Sequence, residues 1–101
     1  MYQITVYIPA SFLEIVRDEM FKAGGGAIGD YDCCCFVTKG VGTFRPLDGS
    51  KPFIGEKGRL VEVEEYKLEM VCKDELFENV ISAMLKSHPY ETPAYNYFHF
   101  I

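Results

Sequence analysis

The 101-residue sequence contains no tryptophan, only two histidines, and no apolar run longer than the five residues Cys33 to Val37. Such a run is far too short to cross a bilayer, so no membrane partner is expected. Basic residues are scarce, ten Lys and Arg against fifteen Asp and Glu, which leaves a net charge of −5 and a pI near 4.9. That balance argues against a nucleic-acid partner, because displacing counterions from phosphates needs a basic patch. No C-x-x-C spacing occurs among the four cysteines, Cys33, Cys34, Cys35 and Cys72. Three in succession cannot build a disulfide framework, and no leader precedes Tyr2, so reduced thiols and a cytoplasmic location are expected. No serine stands in a convincing nucleophile–base arrangement, since Ser87 beside His88 is adjacency alone.

What is present describes a folded protein. Apolar residues make up 49% and charged residues 25%, with eight Phe and seven Tyr. A chain of this length forms one compact unit, so residues 1–101 are expected to be a single domain. Ile4, Val6 and Ile8 alternate along Tyr2 to Ile8 and mark a half-buried strand that Pro9 ends. Ser11 and Glu14 form a capping-box pattern, which predicts a helix from Ser11 burying Phe12, Ile15, Val16, Met20 and Ala23. The helix should stop at Gly24-Gly25-Gly26.

A second strand is predicted from Tyr31 to Lys39, then a loop from Gly40 to Gly58 with a short strand near Thr43-Phe44. A long strand follows from Arg59 to Cys72. Its apolar phase shifts between Val63 and Tyr66, which predicts a bulge at Glu64-Glu65. Asp74 is positioned to cap a second helix that ends near Ser87, before Pro89. The last strand should run from Ala94 to Ile101. The order βαββαβ predicts an α+β, ferredoxin-like fold: a four-stranded antiparallel sheet with two helices on one face. Large apolar groups on both faces of the last strand then predict a homo-oligomer that covers them.

Few motifs carry chemistry. Residues 24 to 29 match G-x-G-x-x-G, but a helix precedes them and a strand follows, which turns the helix dipole the wrong way for a pyrophosphate. A structural turn is the better reading, and no nicotinamide cofactor is implied. On an extended strand only Cys33 and Cys35 face the same side, about 6–7 Å apart at Cα, so packing is favoured over metal ligation. The acidic run Glu62, Glu64, Glu65 and Glu69 reads as a solvated strand face. His99 reads as a packed or interface histidine. His88 and Glu91, in a turn bounded by prolines, permit a divalent metal as the one cofactor in prospect. The simpler reading is a rigid connector in which His88 meets the carbonyls at the helix end.

Four segments together resemble a known family: Gly26-Ala27-Ile28-Gly29-Asp30-Tyr31, Gly42-Thr43-Phe44-Arg45-Pro46, Pro52-Phe53-Ile54-Gly55-Glu56 and His88-Pro89-Tyr90-Glu91-Thr92-Pro93-Ala94-Tyr95. Their order resembles the inserted domain of the Ngg1-interacting-factor-3-like family over nearly the whole chain. The segment His88 to Glu91 also resembles CutA divalent-cation tolerance proteins. The resemblance implies a PII/CutA-like domain that assembles into trimers or larger rings. It also implies that the family's dinuclear metal centre lies in segments flanking the insert. Hydrolase and GTP cyclohydrolase labels are therefore not expected to transfer. The leading expectation is a non-enzymatic, homo-oligomeric module that binds a small ligand, metal ion or protein partner at subunit clefts, with Arg45 and Tyr90 as ligand-binding residues. The alternative is a CutA-type metal-binding protein with His88 and Glu91 as ligands, joined by Cys33 or Cys35.

Overall fold

The computed structural model describes residues 1–101. Its regular elements are β1 (Tyr2–Pro9), α1 (Leu13–Lys22), β2 (Phe36–Phe44), β3 (Val61–Cys72), α2 (Phe77–Ser87) and β4 (Tyr95–His99). The strands form one antiparallel sheet in the order β2-β3-β1-β4. This is the predicted ferredoxin-like α+β arrangement.

Alternation in the two central strands builds the core. Ile4, Val6 and Ile8 of β1 and Leu68, Met70 and Cys72 of β3 point to one face, where Val16 and Met20 of α1 and Val80 and Met84 of α2 close over them. All ten are essentially inaccessible to water, and together they supply most of the burial free energy, about 1.5–3 kcal/mol for each of the larger side chains. The opposite face has no helices. Gln3, Thr5, Tyr7, Lys67, Glu69 and Asn96 fall there by register.

Neither helix starts as the capping patterns predict. Short 3₁₀ turns, Ala10–Phe12 and Asp74–Leu76, precede α1 and α2, and no side chain caps either one. The Asp74 carboxylate instead lies 3.0 Å from His99 Nε2 at the sheet edge. In α1, Leu13 packs on the core while Ile15 is half exposed. α2 ends at Ser87, and His88 is already extended (ψ 134°), as Pro89 requires. The glycine run acts as the turn predicted for it. Gly24 and Gly26 take φ of 107° and 80°, and the Gly26 amide bonds the Val71 carbonyl at 2.8 Å.

Several strand boundaries differ from the sequence expectation, and β3 begins at Val61 rather than Arg59. β2 begins at Phe36, so Tyr31 to Cys35 lie outside it, and Cys33 takes a left-handed φ of 54°. The strand instead continues through Gly40 and Gly42 to Phe44, because the ladder to β3 recruits residues of low intrinsic strand preference. β4 stops at His99. No bulge interrupts β3, whose register with β1 and β2 is continuous from one end to the other. The apolar phase changes for another reason. β1 ends at Pro9, opposite Glu65, and beyond that point Val61 and Val63 turn to the helix-free face. There Val61 sits opposite Phe44 and against Gly55 of the returning loop.

Candidate functional site

The loop from Arg45 to Ile54 lies beside the end of β1 and borders a partly open cavity of about 380 Å³. That volume lies within the roughly 300–1,000 Å³ typical of small-molecule sites. Strands supply the floor, through Tyr7 of β1, Phe44 of β2 and Glu65 of β3, and the segment after α2 supplies one wall through Tyr90. Within the loop Pro46 is buried, and Phe53 meets Phe12 edge-on at 5.5 Å, which ties the loop to the 3₁₀ turn before α1. The Phe44 and Tyr90 rings lie 5.8 Å apart, tilted by 58°.

The polar groups of the cavity differ in how far they are already engaged. Tyr90 donates its hydroxyl to Glu65 Oε2 at 2.8 Å. Burial, reinforced by that carboxylate, pushes the phenol well above its usual range, so Tyr90 stays a donor. Glu91 accepts the Lys51 backbone amide at 3.0 Å and so pins the loop to the wall. Arg45 lines the same cavity, is exposed, and takes part in none of the ion pairs.

Of the residues singled out from the sequence, Arg45, Tyr90 and Glu91 therefore meet in one cavity. His88 does not line it. Its buried ring spans the turn, with Nε2 2.8 Å from the Tyr7 carbonyl and Nδ1 accepting the Tyr90 amide at 3.1 Å. An acceptor at Nδ1 places the proton on Nε2, and the ring is neutral. Burial also lowers the pKa of His88, against the smaller raising effects of the Tyr7 carbonyl and the Glu65 charge. Both nitrogens are occupied by backbone, so ligation of a metal by His88 would require breaking one of these bonds. No three His, Cys, Asp or Glu side chains converge to hold a metal ion. The geometry thus favours the connector reading, with one revision: the ring bonds a carbonyl of β1 rather than of the helix end.

Two further readings change. Glu65, taken from sequence as a solvated strand residue, joins Glu91 as an acidic group of the cavity. Only the register, which sets it beside Tyr7 and β2, shows this. The cysteine run lies in an irregular turn, where Cys33 and Cys35 are exposed and Cys34 half-buried, so the strand geometry assumed for it does not apply. Loss of hydration raises the pKa of Cys33 and Cys35, the reverse of what an activated thiol requires. His99 is exposed on the edge strand, with its ring 4.8 Å from Tyr2. No helix is long and apolar enough to cross a membrane.

Comparison with known proteins places this geometry in context. No family model matches the chain. It is 44% identical over 98 residues to a protein of Halalkalibacterium halodurans, and 48% identical over 96 residues to one of Bacillus subtilis, both named GTP cyclohydrolase 1 type 2 homolog. These matches cover 97% and 95% of the chain but only 26% of each relative, so the chain spans about a quarter of their length. Among solved structures, a Bacillus cereus protein related to NIF3 superposes with a TM-score of 0.81 at 37% identity, over 96% of the chain and 24% of that protein. The CutA divalent-cation tolerance protein of Archaeoglobus fulgidus gives 0.68 at 16% identity, over 99% of the chain and 84% of that protein, which shows a shared fold. The relatives' name corrects one expectation. Proteins that match almost the whole chain carry an enzyme-derived name, so the label of a non-enzymatic protein does not stand.

Proposed function

We propose, from the premise that this chain is the PII/CutA-like module of the Ngg1-interacting-factor-3-like family, that it binds a small anionic ligand in the cavity beside the Arg45–Ile54 loop. The observation that carries this reading is Arg45, a guanidinium at the rim of an aromatic-floored cavity with no carboxylate partner of its own. A ligand anion would complete it, and Phe44 and Tyr90 add aromatic surface to the cavity lining. In the longer relatives such a module would serve the activity their name describes, by holding or sensing a nucleotide. That makes GTP the first probe.

Calorimetric titration of the protein with GTP and with inorganic tripolyphosphate tests the reading. Both should bind, and Arg45→Ala should weaken both at least tenfold. Equal binding by Arg45→Ala, or no binding of either probe, refutes it.

Self-association fits the same picture. Every residue of β4 is exposed, Tyr97 by 52% and Phe98 by 58%, and the strand leaves one sheet edge unpaired. Copies of the chain would cover these rings against one another. Light scattering should give a multiple of the 11.5 kDa chain mass, and a strict monomer at micromolar concentration would count against association.

A further inference from the structure

A second cleft, open and of about 470 Å³, lies where β1 begins, at the other end of that strand from the first cavity, and Cys34 and Cys35 both line it beside Ile28, Phe36 and Val71. Successive side chains of a strand face opposite sides, which is the objection to two neighbouring cysteines sharing a ligand. That objection does not hold here. The run precedes β2, its backbone is irregular, and Cys33 is the one non-glycine residue with a positive φ. Backbone bonds also fix the run in place. The Cys34 amide bonds the Gly26 carbonyl at 2.9 Å, and the Gly26 amide bonds the Val71 carbonyl of β3 at 2.8 Å. No side chain would fit at Gly26, since a Cβ there would lie 2.7 Å from the Cys34 carbonyl oxygen. Free hard donors are missing from the cleft: its one carboxylate, Glu69, is engaged by Gln3 at 3.4 Å and by Lys67 at 3.9 Å. Both cysteines are free thiols.

We infer that Cys34 and Cys35 form a site for one soft, monovalent d10 cation, for which Cu(I) is the fitting probe. Thiolates select Cu(I), an ion without ligand-field preference that two sulfurs in line satisfy. A zinc ion calls for four donors, and no third His, Cys, Asp or Glu converges with the pair. Hard divalent ions call for oxygen ligands that the cleft does not leave free. Binding is an exchange without redox change: two S–Cu bonds form, two S–H bonds break, and both protons pass to solvent. An ion that displaces protons in this way does not need thiols that are already ionised, so the raised pKa of Cys35 lowers the affinity without removing the site. The cleft shares no residue with the Arg45 cavity and does not depend on it.

Anaerobic titration of the whole protein against the Cu(I)–bicinchoninate complex, whose colour reports the copper withdrawn, tests this site. One Cu(I) per chain should be withdrawn, with the mass seen by light scattering unchanged, and X-ray absorption at the copper edge should find two sulfur neighbours. Cys34→Ser and Cys35→Ser should each lower the affinity at least a hundredfold, whereas Cys33→Ser should leave it within threefold. Circular dichroism checks that each variant folds. A tenfold excess of Zn(II) should not displace the copper, and displacement would overturn the soft-cation class. No withdrawal of copper overturns the inference outright. So does an equal loss in Cys33→Ser, which would assign the ion to another pair. One ion per two chains with a doubled mass would place the thiolates on separate chains and overturn it as well.

Discussion

Replacing His88 with alanine removes a ring that is 6% exposed and two hydrogen bonds that join three parts of the chain, at 2.8 Å to the Tyr7 carbonyl and 3.1 Å from the Tyr90 amide. Each bond contributes about 1 kcal/mol net, and leaving a half-buried carbonyl or amide without a partner costs about 1–3 kcal/mol. Water can enter the vacated space beside the exposed turn, so the lower part of that range applies. The expected loss is about 3 kcal/mol near neutral pH. Acidity should shrink it. Burial is the main influence on His88, and it holds the folded pKa below the ordinary 6.5. As pH falls through 6.5, the unfolded chain takes up a proton at this position before the folded chain does. Stability from His88 is complete above that pH and declines below it, by at most about 1.4 kcal/mol per pH unit, until the folded ring itself is protonated. The alanine variant lacks this dependence, while the carboxylates common to both proteins cancel in the comparison. Urea unfolding at about pH 7.5 and about pH 5.5, at one fixed protein concentration, measures both effects. A difference under about 1 kcal/mol at the higher pH, or one that does not shrink at the lower, would refute this account of the turn.

Other outcomes follow from the packing. Gly25→Ala should destabilise by about 1–3 kcal/mol in urea unfolding, because its Cβ would lie 2.5 Å from Met70 Sδ and 3.1 Å from the Met20 carbonyl oxygen. Thiol titration of the folded protein should find Cys33 and Cys35 reactive and buried Cys72 silent until unfolding. Their rates should rise steeply as pH is raised above neutral, since both exposed thiols have raised pKa values. Rapid modification at pH 7 would contradict that. Phe98→Lys should lower the mass seen by light scattering if β4 is where copies meet, and should leave the unfolding free energy of any monomer within about 0.5 kcal/mol, as is usual for an exposed position.

Local pattern determined much of this protein. Ile4, Val6 and Ile8 recur at the strand period and Val80 and Met84 at the helix period, and each set can be buried on only one side. Pro89 and the glycines at 24–26 set where the helices stop, because their backbone constraints act whatever surrounds them. Element order then led to the ferredoxin-like sheet. Glu91 was singled out from its proline-bounded turn, as a metal ligand with His88, and Arg45 and Tyr90 through the family resemblance; the structure brings Arg45, Tyr90 and Glu91 to one cavity. Tertiary contacts decided the rest. The alternation through Cys33 to Val37 suggested a strand centred too early, and pairing with β3 instead drew in Gly40 to Phe44. The capping residues lost their predicted partners because a 3₁₀ turn starts each helix and Asp74 turns to the sheet edge. Glu65 became a cavity group only because β1 ends opposite it and Gly42 leaves room beside it. Periodicity is a property of neighbours along the chain, whereas these placements depend on which strands meet and in what register, and distant residues decide that jointly.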